Sequence, residues 1–380
     1  MSPASTAFLG AKIHDGARLF DQHALLAEAD GTLQVVARGD IPQGTAVKTL
    51  EGGIICPGFV DLQVNGGGGV MFNDDQSVSA LRIIASAHAR LGTVAILPTL
   101  ITDTADVTKA ALDAVEDALA QGVPGIAGIH LEGPHLSVAR KGAHDADLIR
   151  PMDDADLDVL LGAARRIPNI MVTVAPENTR NHQITAMAEA GIIVSLGHTD
   201  ADFDTCLAAF DAGAGCATHL FNAMSQMGNR APGLVGAILS RGDIYAGLIA
   251  DGVHVHPDMI RIALAAKRVP SRIFLVTDAM ATAGSAIDGF SLNGRDVMRC
   301  NNRLTLADGT LAGADLSMAR AISVMTEAAG DPLEAAIARA TALPARLLRT
   351  PGGLGRLSGG LDRMILLDPG NPVRFLKEVA

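Results

Sequence analysis

Four residues close apolar runs in this 380-residue chain and carry side chains able to hold a metal ion or move a proton: Glu132 in HLEGP, His198 in GHTD, His219 in THLFNAM and Asp278 in VTDA. One glutamate and two histidines are a competent ligand set for a divalent cation, with positions left open for water and substrate, as hydrolytic metal sites require. A further carboxylate beside such a set can accept a proton and return it. The two histidines lie too far apart for a compact zinc motif. Taken singly, each reads equally well as a hydrogen-bonded core histidine, with Glu132 paired to an arginine. The chemistry depends on whether the fold brings the four residues to one place.

The elements that must do so are legible as a rhythm. Short β-branched runs alternate with alanine- and leucine-rich segments of helical period, the pattern of a parallel sheet with crossover helices. The runs are GFVDLQVN (58–65), TVAILPTLI (93–101), GIAGIHLE (125–132), IMVTVAPE (170–177), IIVSLGH (192–198), CATHLFN (216–222), YAGLIADGVHV (245–255) and RIFLVTDA (272–279). Between them lie helical stretches such as SVSALRIIASAHARL (77–91), ADLDVLLGAARRI (155–167) and DMIRIALAAK (258–267). Eight such units predict an α/β fold, a closed (β/α)8 barrel of TIM type, in which strand ends meet at one rim and form the site. Glu132, His198, His219 and Asp278 all fall at that rim. Residues 1–55 and 345–380 read instead as short strands and turns, which predicts one small β-sandwich domain built from both chain ends beside a barrel domain of 56–344. The segment 293–313 reads as hairpins inserted after the eighth strand.

Composition narrows the function. A net charge of -11 argues against binding a nucleic-acid backbone, which needs clustered Lys and Arg. No apolar stretch reaches membrane-spanning length, and MSPASTAFLGAKIHDGARLF does not read as a secretory signal. Cys56, Cys206, Cys216 and Cys300 form no CxxC pair, so a cytoplasmic protein without a cysteine zinc site is expected. With no Trp and a single Tyr, few aromatic platforms exist for stacking a sugar ring, and any sugar must be held by polar contacts.

The blocks PGFVDLQVNGGGGVMFND, HLEGPHL, KGAH, GHTDA, THLFNAM, RAPGLVGA, IADGVHV, LVTDAMATAG and GTLAG, in order from residue 57 to about 313, resemble the N-acetylglucosamine-6-phosphate deacetylases of the amidohydrolase superfamily. The resemblance implies hydrolysis of N-acetyl-D-glucosamine 6-phosphate to D-glucosamine 6-phosphate and acetate. It implies Glu132, His198 and His219 as metal ligands and Asp278 as the catalytic acid/base. It further implies that Ala143, His144, Asn222, Ala223, Arg230, Asp251, His254, Leu311, Ala312 and Gly313 touch the sugar phosphate. Arg230 suits a phosphate because its planar fork donates paired, charge-assisted hydrogen bonds. His144 is open to two roles, polarising the carbonyl or holding a sugar hydroxyl. His130 shares a strand face with Glu132 and reads as its support, His256 reads as a surface residue or one backing the site, and His14, His23, His88 and His182 lie away from the motifs with no role.

Related hydrolases with two metals carry His-x-His on the first strand, where this chain has Gln63 and Asn65. Amides are poor ligands for a transition metal, so a vacant second-metal position and one divalent ion per chain are expected, Zn²⁺ by default with Fe²⁺, Co²⁺ or Mn²⁺ as alternatives. Family resemblance also implies a homodimer in which Arg230 and His254 reach the phosphate bound by a neighbouring subunit. Two rival readings stay open: another amidohydrolase, such as a deacetylase for the galactosamine epimer or a cyclic-amide hydrolase, and a non-catalytic sugar-phosphate-binding protein.

Overall fold

The computed structural model describes residues 5–368 and 370–379, so positions 1–4, 369 and 380 of the expected end domain lie outside the described residues. Each of the eight apolar runs contains one strand of a single parallel sheet. These are β1 (Phe59–Val64), β2 (Thr93–Ile101), β3 (Ile129–Glu132), β4 (Ile170–Val174), β5 (Ile193–Leu196), β6 (Cys216–Ala217), β7 (Tyr245–Leu248) and β8 (Ile273–Leu275), hydrogen-bonded in chain order. Nearly every residue in them is buried, the signature of strands covered on both faces. Helices pack outside, and their starts are fixed by side-chain caps: Ser77 accepts from Ala80 N, Thr104 from Val107 N and Asp202 from Thr205 N. These caps set the strand-to-helix loops that form the rim.

β1 and β8 close the barrel without a regular ladder. Val64 bridges to Ala279, Asp278 N donates to Gln63 O at 3.0 Å, and Asn65 N donates to Ala279 O at 2.8 Å. Beneath them the buried Asp61 carboxylate accepts from the Thr277 hydroxyl, from Thr277 N at 3.2 Å and from Gln63 N at 3.2 Å. Burial pushes Asp61 up to about 7 against the pull of these donors. Asp61→Ala leaves three buried donors without an acceptor. It is expected to cost about 3 kcal/mol, read as a lower urea midpoint, while Asp61→Asn keeps one acceptor oxygen and loses less.

The inserted segment is a three-stranded antiparallel sheet, Gly289–Leu292, Arg295–Cys300 and Arg303–Thr305. Its Leu292, Val297 and Leu304 form an apolar cluster with Met71, Ile101 and Met280 of the rim. Both chain ends supply two further sheets. One is four-stranded (Thr6–Leu9, His23–Ala27, Leu33–Ala37, Ala46–Thr49), and the other five-stranded (Lys12–His14, Leu19–Phe20, Ile54–Pro57, Met364–Leu367, Arg374–Phe375). Phe8 and Leu25 of the first meet Ile13, Ile55, Met364 and Leu366 of the second in one cluster. Alternate residues Ile54 and Cys56 join the barrel core instead. We propose that these sheets are the small β-sandwich domain of 1–55 plus 345–380. The strand Ile54–Pro57 and the helix Ala342–Leu347 straddle its two boundaries. Among the described residues, no helix is long and apolar enough to cross a membrane.

Candidate active site

Glu132 is the last residue of β3, and His198, His219 and Asp278 each lie just beyond β5, β6 and β8. Those last three are in the left-handed region, with φ of 47°, 31° and 52°. Bulky residues take up that conformation only where their surroundings enforce it. Here the enforcement is visible. Ser137 N donates to His198 O at 2.8 Å, Asn222 N to His219 O at 2.9 Å, and Ala314 N to Asp278 O at 2.9 Å.

The turns at His198 and His219, with the end of β3 at Glu132, aim three donor atoms at one point. Nε2 of His198 and Nε2 of His219 are 3.0 Å apart, and Glu132 Oε1 lies 3.3 Å from the first and 3.1 Å from the second. A tetrahedral cation with bonds of about 2.0–2.1 Å spaces its ligands roughly 3.3 Å apart, so the trio has the dimensions of a metal site. His198 Nδ1 lies 2.8 Å from the Arg140 carbonyl, so Nδ1 carries the proton and Nε2 offers its lone pair, as in metal-binding imidazoles. The residues therefore fit a divalent cation. Burial works to raise the Glu132 pKa, but the neighbouring His198 and His219 hold it well below the usual carboxylate range.

Asp278 has the opposite tendency. Burial, then the Glu132 charge, raise its pKa. Asn65 Nδ2 donates to Asp278 Oδ1 at 2.7 Å, and Gln63 Nε2 donates to the same oxygen at 3.3 Å and to Glu132 Oε1 at 3.1 Å. The two amides thus present N–H groups to both carboxylates and link them.

Around this centre lies a cavity of about 260 Å³. Of the residues singled out from the sequence, Asn65, Ala143, His144, Asn222, Ala223, His254, Leu311 and Gly313 line it together with Glu132, His198, His219 and Asp278. Gln63 sits behind that wall. Asp251 turns away, its Oδ2 lying 2.6 Å from His254 Nδ1 and orienting that ring. Ala312 is buried in the rim cluster, and Arg230 is exposed on the loop after β6, outside the cavity wall. Thr102 N donates to His144 Nδ1 at 3.3 Å, which leaves Nε2 of that ring as the N–H donor. Burial and then His198 keep His144 neutral.

The histidines outside the site also find places. His130 lies 2.7 Å from the Thr173 hydroxyl in the barrel interior, and His256 caps the helix Pro257–Ala266. His88, distant in sequence from every motif, reaches the Gly66 carbonyl at 2.9 Å and packs on the glycine loop, where a Cβ on Gly67 would meet its ring at 3.1 Å. Ile101, Ile249, Met280 and Thr310 line the cavity without having stood out in the sequence, being ordinary apolar or loop residues there.

Known proteins resemble this chain in sequence and fold. The chain is 41% identical over 318 residues to the N-acetylgalactosamine-6-phosphate deacetylase of Shewanella sp. (strain ANA-3), covering 82% of this chain and 80% of that one. It is 36% identical to the N-acetylglucosamine-6-phosphate deacetylase of Haemophilus influenzae, covering 76% and 75%. The crystal structure of N-acetylglucosamine-6-phosphate deacetylase from Pasteurella multocida superposes with a TM-score of 0.90 at 34% identity, over 97% of both chains. The sequence pattern of the amidohydrolase family matches residues 54–363, which include the whole barrel and every residue of the cluster, and the chain belongs to that family.

Proposed function

We propose that the cavity hydrolyses the acetamide of N-acetyl-D-glucosamine 6-phosphate, releasing D-glucosamine 6-phosphate and acetate. The observation that carries this reading is the Glu132–His198–His219 trio facing the same cavity as Asp278, a second buried carboxylate with its own hydrogen-bond donors. The trio would hold one divalent cation, Zn²⁺ by the chemistry of its donors, with Fe²⁺, Co²⁺ and Mn²⁺ as alternatives. Such a cation supplies Lewis acidity, drawing electron density from the acetamide carbonyl and from water.

The side chains do the rest. Asn65 and Gln63 pin Asp278 Oδ1, and among the described residues none donates to Oδ2. Oδ2 takes a proton from water as the water oxygen bonds to the carbonyl carbon. Asp278 then delivers that proton to the sugar nitrogen as the C–N bond breaks, leaving a free amine and acetate. His144 Nε2–H faces the cavity as a neutral donor, suited to the carbonyl oxygen or a sugar hydroxyl. Asn222, Ala223, His254, Leu311 and Gly313, which line the cavity, hold the sugar phosphate.

No Lys or Arg is among the described residues lining the cavity. A phosphate bound there would lack a permanent cation within one chain, which supports a homodimer in which Arg230 of a second copy completes the site. Arg230→Ala is expected to lower kcat/KM for the phosphorylated sugar by about 10–100-fold, the scale of a charge-assisted hydrogen bond, and to leave any slow turnover of unphosphorylated N-acetylglucosamine unchanged. The free cysteines and the charged, phosphorylated substrate fit a cytoplasmic location.

A second reading, the galactosamine epimer as substrate, is favoured by the identity to the Shewanella relative. Measuring acetate release from both 6-phosphates decides between them. Faster turnover of the glucosamine epimer supports the first reading, faster turnover of the other replaces it, and binding without acetate from either one points to a non-catalytic protein.

A further inference from the structure

A ring of polar contacts lies behind His198, on the side away from the cavity. His198 Nδ1 donates to the Arg140 carbonyl at 2.8 Å, and Arg140 Nε donates to Asp200 Oδ1 at 2.8 Å. Asp200 N donates to Glu177 Oε1 at 2.8 Å, while the Thr199 hydroxyl donates to Glu177 Oε2. Thr199 adjoins His198, so the ring closes on the residue where it began. It spans three loops: the one after β4, which carries Glu177; the one after β5, which carries His198 to Asp200; and the Val138–Arg140 turn leading into KGAH. Glu177 is the only member that ties both residues following His198. Its carboxylate takes up a backbone N–H and a hydroxyl in the turn that holds His198 at a φ of 47°.

We propose that Glu177 is a positioning residue for the metal ligand. It clamps the 198–200 turn and, through Asp200 and Arg140, sets the carbonyl that fixes which nitrogen of His198 carries the proton. This rests on the reading that His198 holds a cation. The physical reason is general: partners of a ligating imidazole's outer nitrogen set its orientation and basicity, and losing them costs metal affinity. The left-handed turn also needs an outside restraint, since the chain alone disfavours it. Arg140 and Asp200 are 37% and 51% exposed, so as a surface pair they add little to folding. Their effect falls on the geometry of His198.

The test is a Zn²⁺ affinity measurement on the full-length protein by competition with a chromogenic chelator, with thermal unfolding of the metal-free form alongside. Glu177→Ala is expected to weaken Zn²⁺ binding by about 10–100-fold. Glu177→Gln, which keeps one acceptor oxygen, should fall between that variant and the wild type. Because Glu177 is itself exposed, metal-free unfolding should shift far less than Zn²⁺ affinity does, and kcat should return towards the wild-type value when Zn²⁺ is in excess. Unchanged Zn²⁺ affinity in both variants overturns the proposal. So does an affinity loss that follows a lower metal-free midpoint, which would mark Glu177 as a general stabiliser. A wild-type protein that takes up no Zn²⁺ at all overturns the metal reading itself, a result distinct from either.

Discussion

Asp278→Asn is expected to lower acetate release at saturating substrate by about 10³-fold while the protein still takes up its metal, since a positioned acid/base contributes roughly 10²–10⁴-fold. The substitution is nearly isosteric. Asn65 Nδ2 can still donate to the remaining oxygen, as it does to Asp278 Oδ1 at 2.7 Å, so the side chain stays where it was. What disappears is the capacity to accept a proton from water and hand it to the amine. The trio of Glu132, His198 and His219 does not include Asp278, so metal content should match that of the wild type. The check is kcat by acetate assay together with metal content per chain. Turnover within tenfold of the wild type would remove Asp278 from the proton path.

Stripping the metal with a chelator is expected to abolish turnover, and adding back Zn²⁺ to restore it with saturation at one equivalent per chain. The argument lies in the direction of two amides. Gln63 Nε2 reaches Glu132 Oε1 at 3.1 Å and Asp278 Oδ1 at 3.3 Å, and Asn65 Nδ2 reaches the same Asp278 oxygen. Their N–H groups fill the space between the carboxylates where a second cation would need lone pairs. Neutral amides are weak ligands for transition metals even when their oxygens face the ion. The double variant Gln63→His with Asn65→His is therefore expected to take up two equivalents. Saturation of the wild type at two would mean that the amides do not exclude a second ion.

The parts of the fold that were legible share a physical cause. Strands buried on both faces are predominantly apolar, so all eight stand out as runs even where Asp61, Gln63 or His130 interrupts one. Residues closing such runs must sit at the rim, which placed Glu132, His198, His219 and Asp278 before any contact was known. Side-chain direction within a turn is not written in the run. Asp251 sits in a motif beside His254 yet points at that ring rather than into the cavity. Glu177, Arg140 and Asp200 escaped notice because each is an ordinary polar loop residue, and only the fold brings them together across 22 to 60 positions of sequence. His88 was missed for the same reason, its partner Gly66 lying 22 residues earlier.

The irregular seam between β1 and β8 also bears on how the protein is made. Asp61 and Thr277 are 216 residues apart, so β1 leaves the ribosome long before the strand that will cover its edge. At roughly 5–20 residues per second, the interval is about 10–40 s. Throughout it, an apolar strand waits with unpaired N–H and C=O groups, a template for pairing with other nascent chains. The metal ligands emerge before the seam can shut, and the acid/base arrives with the segment that shuts it. The residues of the proposed site therefore come together only at closure.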